Sequence, residues 1–413
     1  MNEKSKANIC QCCYRYLLRI ILVFHYFLVK LFKRLPHKKH VQQPFKILAT
    51  GTFYSDNWLI THLRPMAKAS NCEHLKMIAS TPVPEMHNVC GAYAPSWLSK
   101  LFGKVASRLI YFSWVAIKER PDVLVGFHIL VNGLFVVILA KLIGAKSVYI
   151  CGGGPREISR GGIETENRIF NRIGKEDFFI EKLLVEAIKE FDLVVSMGTS
   201  AIEFFKERGI NSQFEIVPGG FDATIFMPNQ EIEKKYDLIF IGRLSEIKRA
   251  DRLLKAIKLA KEKLPNLNAV IVGDGPSKKE LQRLAQKLHI DADIHFVGWQ
   301  NNVHTWLQKS RCFVLTSDSE GLSQALIQAM MCGLPAITSD VGDLGDLLQN
   351  NENGYLVTDL STEEFSNKFV RLLINDEQYK KFSDHALQNT RKFSVENVEV
   401  QWSKIFSEFY NSH

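Results

Sequence analysis

The chain has 413 residues, 46% of them hydrophobic and 23% charged, with a formal net charge of +8. That length holds two ordinary domains with separate cores, and the composition excludes a disordered chain or a many-spanning membrane protein. Residues 1–44 carry nine Lys/Arg against Glu3 alone, while the remainder balances at 43 basic and 43 acidic residues, so the positive charge belongs to a leader and nucleic acid is not an expected partner.

In the leader, the stretch from Leu17 to Phe32 is apolar but interrupted by Arg19, His25 and Lys30. Its uncharged runs are shorter than the about 20 residues a spanning helix needs. At about 100° per residue, Arg15, Arg19, Tyr26, Lys30 and Lys33 share a sector of roughly 60°. A narrow basic stripe beside a broad apolar face predicts a helix lying in the membrane interface, cations toward anionic headgroups, reinforced by Arg34, Lys38 and Lys39. A helix packed on its own protein is the competing reading. No small-x-small cleavage site follows. The expectation is a cytoplasmic protein, peripherally membrane-associated through residues 1–40. The eight cysteines form no disulfide framework, and Cys10, Cys12 and Cys13 lack a matching Cys/His pair at zinc spacing.

Apolar runs at Phe45–Thr50, Leu75–Ala79, Val123–Phe127, Val148–Cys151, Leu193–Ser196 and Phe214–Val217 read as buried strands. Helical segments separate most of them, which predicts a parallel sheet with helices on both faces. Ligands then gather at the carboxyl ends of the strands. Three turns sit there: the glycine turn at Gly51, His128 with Asn132 opening the next helix, and Cys151-Gly152-Gly153-Gly154-Pro155-Arg156. The last lets backbone come very close to a neighbour, and Arg156 is a candidate for an acceptor phosphate or carboxylate. No G-x-G-x-x-G occurs, so no nicotinamide or flavin cofactor is indicated.

Pro218-Gly219-Gly220 through Pro228 is turn-rich, as a linker would be. A second strand–helix series starts at Tyr236 and reaches Gly242-Arg243-Leu244-Ser245-Glu246-Ile247-Lys248, where an arginine and a lysine five apart can close on one diphosphate. Further strands are expected at Ala269–Val272, Ile294–Val297, Cys312–Thr316 and Ala336–Thr338. After the third of these comes Glu320-Gly321-Leu322-Ser323, then an amphipathic helix from Gln324. The amides of Gly321, Leu322 and Ser323 at a helix start suit a phosphate, and Glu320 suits sugar hydroxyls. Asp291-Ala292-Asp293 precedes a strand and reads as a turn, not a metal motif.

Glu320, Ala329-Met330 and Cys332-Gly333-Leu334-Pro335 together resemble the C-terminal signature of glycosyltransferase family 4, and the likeness covers roughly residues 45–410. The resemblance implies an α/β fold of two Rossmann-like parallel-sheet domains facing a cleft, the GT-B architecture. Its divisions would be a leader at 1–44, an acceptor-side domain at 45–225, a nucleotide-sugar domain at 226–394, and a helix at 395–413 crossing back to the first domain. It implies retaining transfer of a sugar from a UDP- or GDP-sugar to a saccharide or lipid-linked acceptor, in envelope or exopolysaccharide synthesis, with neither metal nor cofactor. Gly242, Arg243 and Lys248 occupy the phosphate-binding positions, Gly51 the glycine loop, Trp299 the region of the base pocket, and His128 the place of a histidine facing the sugar; Arg156 and Asn132 fall to the acceptor. Gln328 departs from the family, which places a second glutamate there to hold the ribose. A non-catalytic scaffold in an assembly complex and a nucleotide-sugar epimerase are the alternatives.

Overall fold

A computed structural model of the chain describes residues 3–36, 44–53, 55–165 and 167–411. Lys38, Lys39 and Tyr54 lie outside the described residues, as does the side chain of Cys10. The chain divides into two compact units, one of residues 1–220 with 398–413 and the other of residues 221–397.

The first unit carries strands β1 (Phe45–Thr50), β2 (Cys72–Ala79), β3 (Val89–Tyr93), β4 (Val123–Phe127), β5 (Lys146–Cys151), β6 (Leu193–Ser196) and β7 (Gln213–Ile216). They form a parallel sheet in the order β3-β2-β1-β4-β5-β6-β7. β4 is buried along its whole length, as a parallel strand covered on both faces must be. Sequence order reverses between β1 and β4, whose register runs Ile47 to Val123 through Thr50 to Gly126, so the turns leaving these two strands start side by side. β3 was not expected. It is a half-exposed edge strand, Val-Cys-Gly-Ala-Tyr, too polar and small to register as an apolar run. The helix Leu134–Ile143 after β4 is apolar nearly all round, because the sheet lies under it and two other helices, Glu3–Phe32 and Ser96–Glu119, pack against it.

The N-terminal helix Glu3–Phe32 corrects one expectation about the leader. Leu18, Leu22, His25 and Val29 are buried, and His25 Nε2 lies 2.9 Å from the Leu134 carbonyl. The basic sector faces the chain's own carboxylates. Arg19 contacts Asp177 at 2.8 Å, and Lys30 and Lys33 contact Glu190 at 2.6 and 2.9 Å. Asp177 caps the start of helix Phe178–Ile188 and Glu190 follows its end. Arg19 and Lys30 are eleven residues apart, about 16 Å on a helix, which is also the length of that eleven-residue helix. The two helices are therefore clamped at both ends. Burial alone would raise the Glu190 carboxyl, but Lys30 and Lys33 outweigh it and hold it below the usual range.

From Val398 the C-terminal helix Val395–Asn411 belongs to the first unit. Trp402, Phe406 and Phe409 are buried, and Phe406 meets Phe45 of β1 edge-on at 5.7 Å. Its polar edge is fastened too: Ser403 accepts from the Ser70 amide at 2.9 Å and Ser407 from Asn71 at 3.0 Å.

The second unit carries β8 (Tyr236–Ile241), β9 (Ala269–Val272), β10 (Ile294–Gly298), β11 (Ser310–Leu315), β12 (Ala336–Ser339) and β13 (Gly354–Val357), parallel in the order β10-β9-β8-β11-β12-β13. β13 was also not expected; its run Gly-Tyr-Leu-Val opens on a glycine straight after Asn351-Glu352-Asn353 and reads as part of a turn. Here the order reverses between β8 and β11, paired Leu238 to Cys312 and Ile239 to Phe313. Leu238, Ile239 and Phe240 meet Phe313, Val314 and Leu326 in a core without exposed members. Each unit is thus a doubly wound Rossmann-like sheet, and each has a switch point at which polar side chains can converge.

Candidate functional site

At the switch point of the second unit, β8 ends in Gly242 and Arg243, and a single 3-10 turn, Glu246–Lys248, carries the chain to the helix Ala250–Ala260. β11 ends in Thr316-Ser317-Asp318-Ser319-Glu320, before the helix Gln324–Met331. Lys248 Nζ donates to both Glu320 carboxylate oxygens at 2.7 Å, and Ser317 Oγ donates to Oε1 at 2.5 Å. The Glu320 side chain is 6% exposed and that of Lys248 24%. A carboxylate this buried is tolerable because cation and hydroxyl both meet it.

A second set of bonds locks the two turns together. Arg252 donates to the Thr316 carbonyl at 2.6 Å and to Asp318 at 2.8 Å; Arg249 donates to Asp318 at 3.0 Å; and Thr316 Oγ1 donates to the Arg249 carbonyl at 2.8 Å. Burial works against ionisation of Asp318, but Arg252 and Arg249 prevail and hold its carboxyl below the usual range. The loop after β12 closes the third side. Gly342, at φ 58°, packs so tightly on the Glu320 backbone that a Cβ there would collide with the Glu320 carbonyl.

The other residues predicted for the donor in this unit lie on the turn after β8, on the helix after β11 and on the loop after β10. Arg243 is exposed at the start of the same turn, with Gly242 half-buried behind it. Ser323 caps the helix, accepting from the Leu326 amide at 3.3 Å. Gln328 is 7% exposed, one turn further along that helix. Trp299, 62% exposed after β10, donates its indole N–H to Asn301 at 3.1 Å. A hollow of about 490 Å³ between helices Ala250–Ala260 and Lys278–Lys287 is lined by none of Arg243, Lys248, Glu320 or Gln328.

Gly321 stands apart: it is exposed, its φ is not positive, and a Cβ there would meet nothing within 4 Å. Gly321→Ala is therefore expected to leave the melting temperature within about 1 °C of wild type. If a diphosphate docks on these amides, the same methyl weakens nucleotide binding about tenfold or more, as a titration calorimeter would record. An unchanged affinity would remove the amides from the site.

At the switch point of the first unit, Gly51 packs beneath Phe53 and Phe127, and His128 leaves β4 with φ 63°. The helix expected to open at Asn132 begins instead at Leu134, after a π-turn over Ile129–Gly133 in which Val131 has φ 74°. A β-branched residue in the left-handed region is strained, and such strain persists where surrounding contacts over-determine it. Those contacts centre on Glu157, buried in the turn after β5. Its Oε1 accepts from His128 Nδ1 and from the Gly153 amide, both at 2.7 Å. Oε2 accepts from the Ile129 amide at 2.8 Å and the Tyr149 hydroxyl at 2.9 Å. The glycine run has its explanation here: a Cβ at Gly152 would lie 2.9 Å from the His128 ring, and one at Gly153 would lie 2.8 Å from the Glu157 side chain.

Burial alone would lower the His128 pKa and raise that of Glu157; their mutual attraction reverses both, holding His128 above 6.5 and Glu157 below 4.5. With Nδ1 committed to Glu157, Nε2 is the ring nitrogen left for a ligand. Trp58 stacks on His128 at 6.0 Å and meets the buried His62 at 4.1 Å with its ring tilted by 50°; burial and then the neighbouring His128 push His62 down to about 3.

His128, Asn132, Arg156 and Glu157 line a pocket of about 640 Å³ in this unit. Asn132 is buried, donating to the Phe127 carbonyl at 2.8 Å and accepting from Arg108 at 2.8 Å. Arg156 is exposed, 3.8 Å from Glu164. Arg108, also in the wall, is 1% exposed and donates to Thr50 and the Gly51 carbonyl at 2.7 Å each, tying β1 to the π-turn. Burial lowers its pKa to about 10. Sequence reading missed Glu157, Arg108 and Trp58. Glu157 and His128 are 29 residues apart with no motif joining them, although the three glycines beside Glu157 signalled a close approach. Among the described residues, no group of three or more His, Cys, Asp or Glu is placed to hold a metal ion.

Two doubly wound, Rossmann-like parallel sheets place the chain in the two-Rossmann GT-B class. The chain belongs to the group 1 glycosyl transferases. That family's model matches residues 222–389. The GalNAc-alpha-(1->4)-GalNAc-alpha-(1->3)-diNAcBac-PP-undecaprenol alpha-1,4-N-acetyl-D-galactosaminyltransferase of Campylobacter jejuni is 32% identical over 319 residues, covering 76% of this chain and 82% of that protein. The N-acetyl-alpha-D-glucosaminyl L-malate synthase of Bacillus anthracis is 26% identical over 239 residues, 55% of this chain and 62% of its own length. Two uncharacterized glycosyltransferases, from Methanocaldococcus jannaschii and Haemophilus influenzae, are likewise matched over only 58% and 66% of their length. Among solved structures, Anabaena Alr3699/HepE in complex with UDP-glucose superposes with a TM-score of 0.69 at 17% identity, over 88% of this chain and 100% of that one.

Proposed function

We propose that the chain transfers a sugar from a UDP- or GDP-sugar to a hydroxyl of a saccharide or lipid-linked acceptor, with retention, during envelope or exopolysaccharide synthesis at the cytoplasmic membrane surface. The observation that carries this reading is the Lys248–Glu320 pair, held at a strand-end switch point and locked from three sides. In this reading the departing diphosphate gains negative charge, which Arg243, Lys248 and the amides of Gly321, Leu322 and Ser323 stabilise. Glu320 holds the donor sugar, Trp299 serves the base, and Gln328 accepts a ribose hydroxyl through a neutral amide. No metal or cofactor takes part. In the first unit, His128, oriented by Glu157, is assigned to the transferring sugar, and Arg156 and Asn132, along the same pocket, to the acceptor. The Campylobacter relative, named for transfer to an undecaprenol-diphosphate glycan, supports a lipid-linked acceptor, and the Anabaena complex with UDP-glucose supports a uridine donor.

The test is release of UDP or GDP from a panel of nucleotide sugars, with EDTA, and with and without a lipid-linked oligosaccharide extract. Acceptor-dependent release that Glu320→Ala abolishes supports the proposal. No release from any donor indicates a scaffold, and a new nucleotide sugar formed without acceptor indicates an epimerase.

A further inference from the structure

The described residues of the second unit expose four large apolar side chains: Ile225, Met227, Trp299 and Ile374. The first unit differs in kind, and its excess lies on two helices. On Glu3–Phe32, the residues Leu17, Ile20, Ile21, Phe24 and Phe27 are each 52–65% exposed. On Ser96–Glu119, the residues Trp97, Leu101, Phe102, Trp114 and Ile117 are each 51–70% exposed. Both helices pack against Leu134–Ile143, so they neighbour one another around that helix, whose own Phe135 is 40% exposed. Monomeric soluble surfaces rarely carry so many exposed large apolar side chains so close together.

We infer that the helix Ser96–Glu119 is a second membrane contact, joining the N-terminal helix in one lipid-facing side of the first unit. This deepens the membrane part of the reading above, which rests on residues 1–40 alone. Charge identifies the occupant. Exposed Lys100 and Lys104 flank Trp97, Leu101 and Phe102, and Lys118 stands 4.6 Å over the Trp114 ring. Lysines beside tryptophans are what an interface of acyl chains and anionic headgroups accepts, whereas two copies of this face would set like charges against each other. Gly103, at φ 77°, breaks the helix and separates the segment with Trp97, Leu101 and Phe102 from the longer one behind it.

The ion pairs of the N-terminal helix fix the manner of binding. Its stretch Gln11–Phe32 is long and apolar enough to cross a bilayer. One stripe is nevertheless buried on the chain's own helix, and Arg19, Lys30 and Lys33 are engaged by Asp177 and Glu190. The helix therefore lies along the unit and presents apolar side chains outward. Binding driven by that face is apolar first and electrostatic second, so it resists salt.

Flotation of the full chain with vesicles tests this, using phosphatidylcholine alone and phosphatidylcholine with phosphatidylglycerol, at 0.1 and 0.5 M NaCl. The chain is expected to float with both, retaining most of its binding at high salt. Leu101→Asp with Ile117→Asp is expected to cut the partition coefficient tenfold or more without altering the melting temperature or nucleotide-sugar turnover. Ile20→Asp with Phe24→Asp should do the same through the first helix. Undiminished flotation of the Leu101/Ile117 variant, while the Ile20/Phe24 variant detaches, overturns the second contact and leaves the N-terminal one standing. A lipid-free dimer that the Leu101/Ile117 variant dissociates also overturns it, since the occupant would then be a second copy. Turnover in the same samples reports on the catalytic reading separately.

Discussion

Lys248→Ala is expected to lower kcat/KM for sugar transfer by about two to three orders of magnitude, the usual cost of deleting one donor aimed at developing negative charge. The variant will also be less stable, because Glu320, with its side chain 6% exposed, loses the cation that meets both of its carboxylate oxygens. Stripping one partner from a buried ion pair costs about 3–5 kcal/mol. The two effects separate in the double variant Lys248→Met with Glu320→Gln. It removes both charges, so stability in urea should return toward wild type while turnover does not. Retention of kcat/KM within about threefold in Lys248→Ala would show that the lysine serves the fold and not the leaving diphosphate.

Glu157→Ala is expected to destabilise the first unit by about 3–5 kcal/mol, for it leaves His128, the Gly153 and Ile129 amides and the Tyr149 hydroxyl without their common acceptor. The pH dependence gives a sharper result. His128 has its pKa raised in the folded protein, so its contribution is complete below about 6.5 and is lost as pH rises through the folded value. Glu157 has its pKa lowered, so its contribution is present above about 4.5 and is lost as pH falls through the folded value. The pair therefore stabilises most between about pH 4.5 and 6.5. Glu157→Gln keeps the shape and removes the charge. It should flatten the stability profile above pH 6 and move the basic limb of the kcat/KM profile to lower pH. Urea unfolding and initial rates across pH 5–9 would record this. A profile identical to wild type would mean that Glu157 positions the π-turn without tuning His128.

Local pattern carried much of the architecture. Buried runs such as Val123–Phe127 and Cys312–Leu315 are legible because a parallel strand covered on both faces must be apolar throughout, and the helices between them announce the crossovers. β3 and β13 were not legible: Val-Cys-Gly-Ala-Tyr is broken by a glycine at a half-exposed sheet edge, and Gly-Tyr-Leu-Val follows Asn351-Glu352-Asn353 and opens on a glycine, so each reads as part of a turn. The turns that carry Arg243, Lys248 and Glu320 were legible as strand ends with phosphate chemistry. That Lys248 bonds Glu320 directly, 72 residues away, was not.

By itself the sequence determined that there are two strand–helix series, that a basic leader precedes a neutral body, and that Gly242–Lys248 and Glu320–Ser323 are the turns leaving two of the strands. Each of these is a matter of composition or of spacing within one turn. Only the tertiary structure decided which carboxylate answers which cation. Helical geometry placed Arg19, Lys30 and Lys33 on one stripe, but a stripe is turned toward whatever neutralises it, and Asp177 and Glu190 lie more than 150 residues further along the chain. Likewise, His128 acquires its charge preference from Glu157, a partner that no local rule could supply, because pairing across a sheet depends on where the strands are laid and not on how they read.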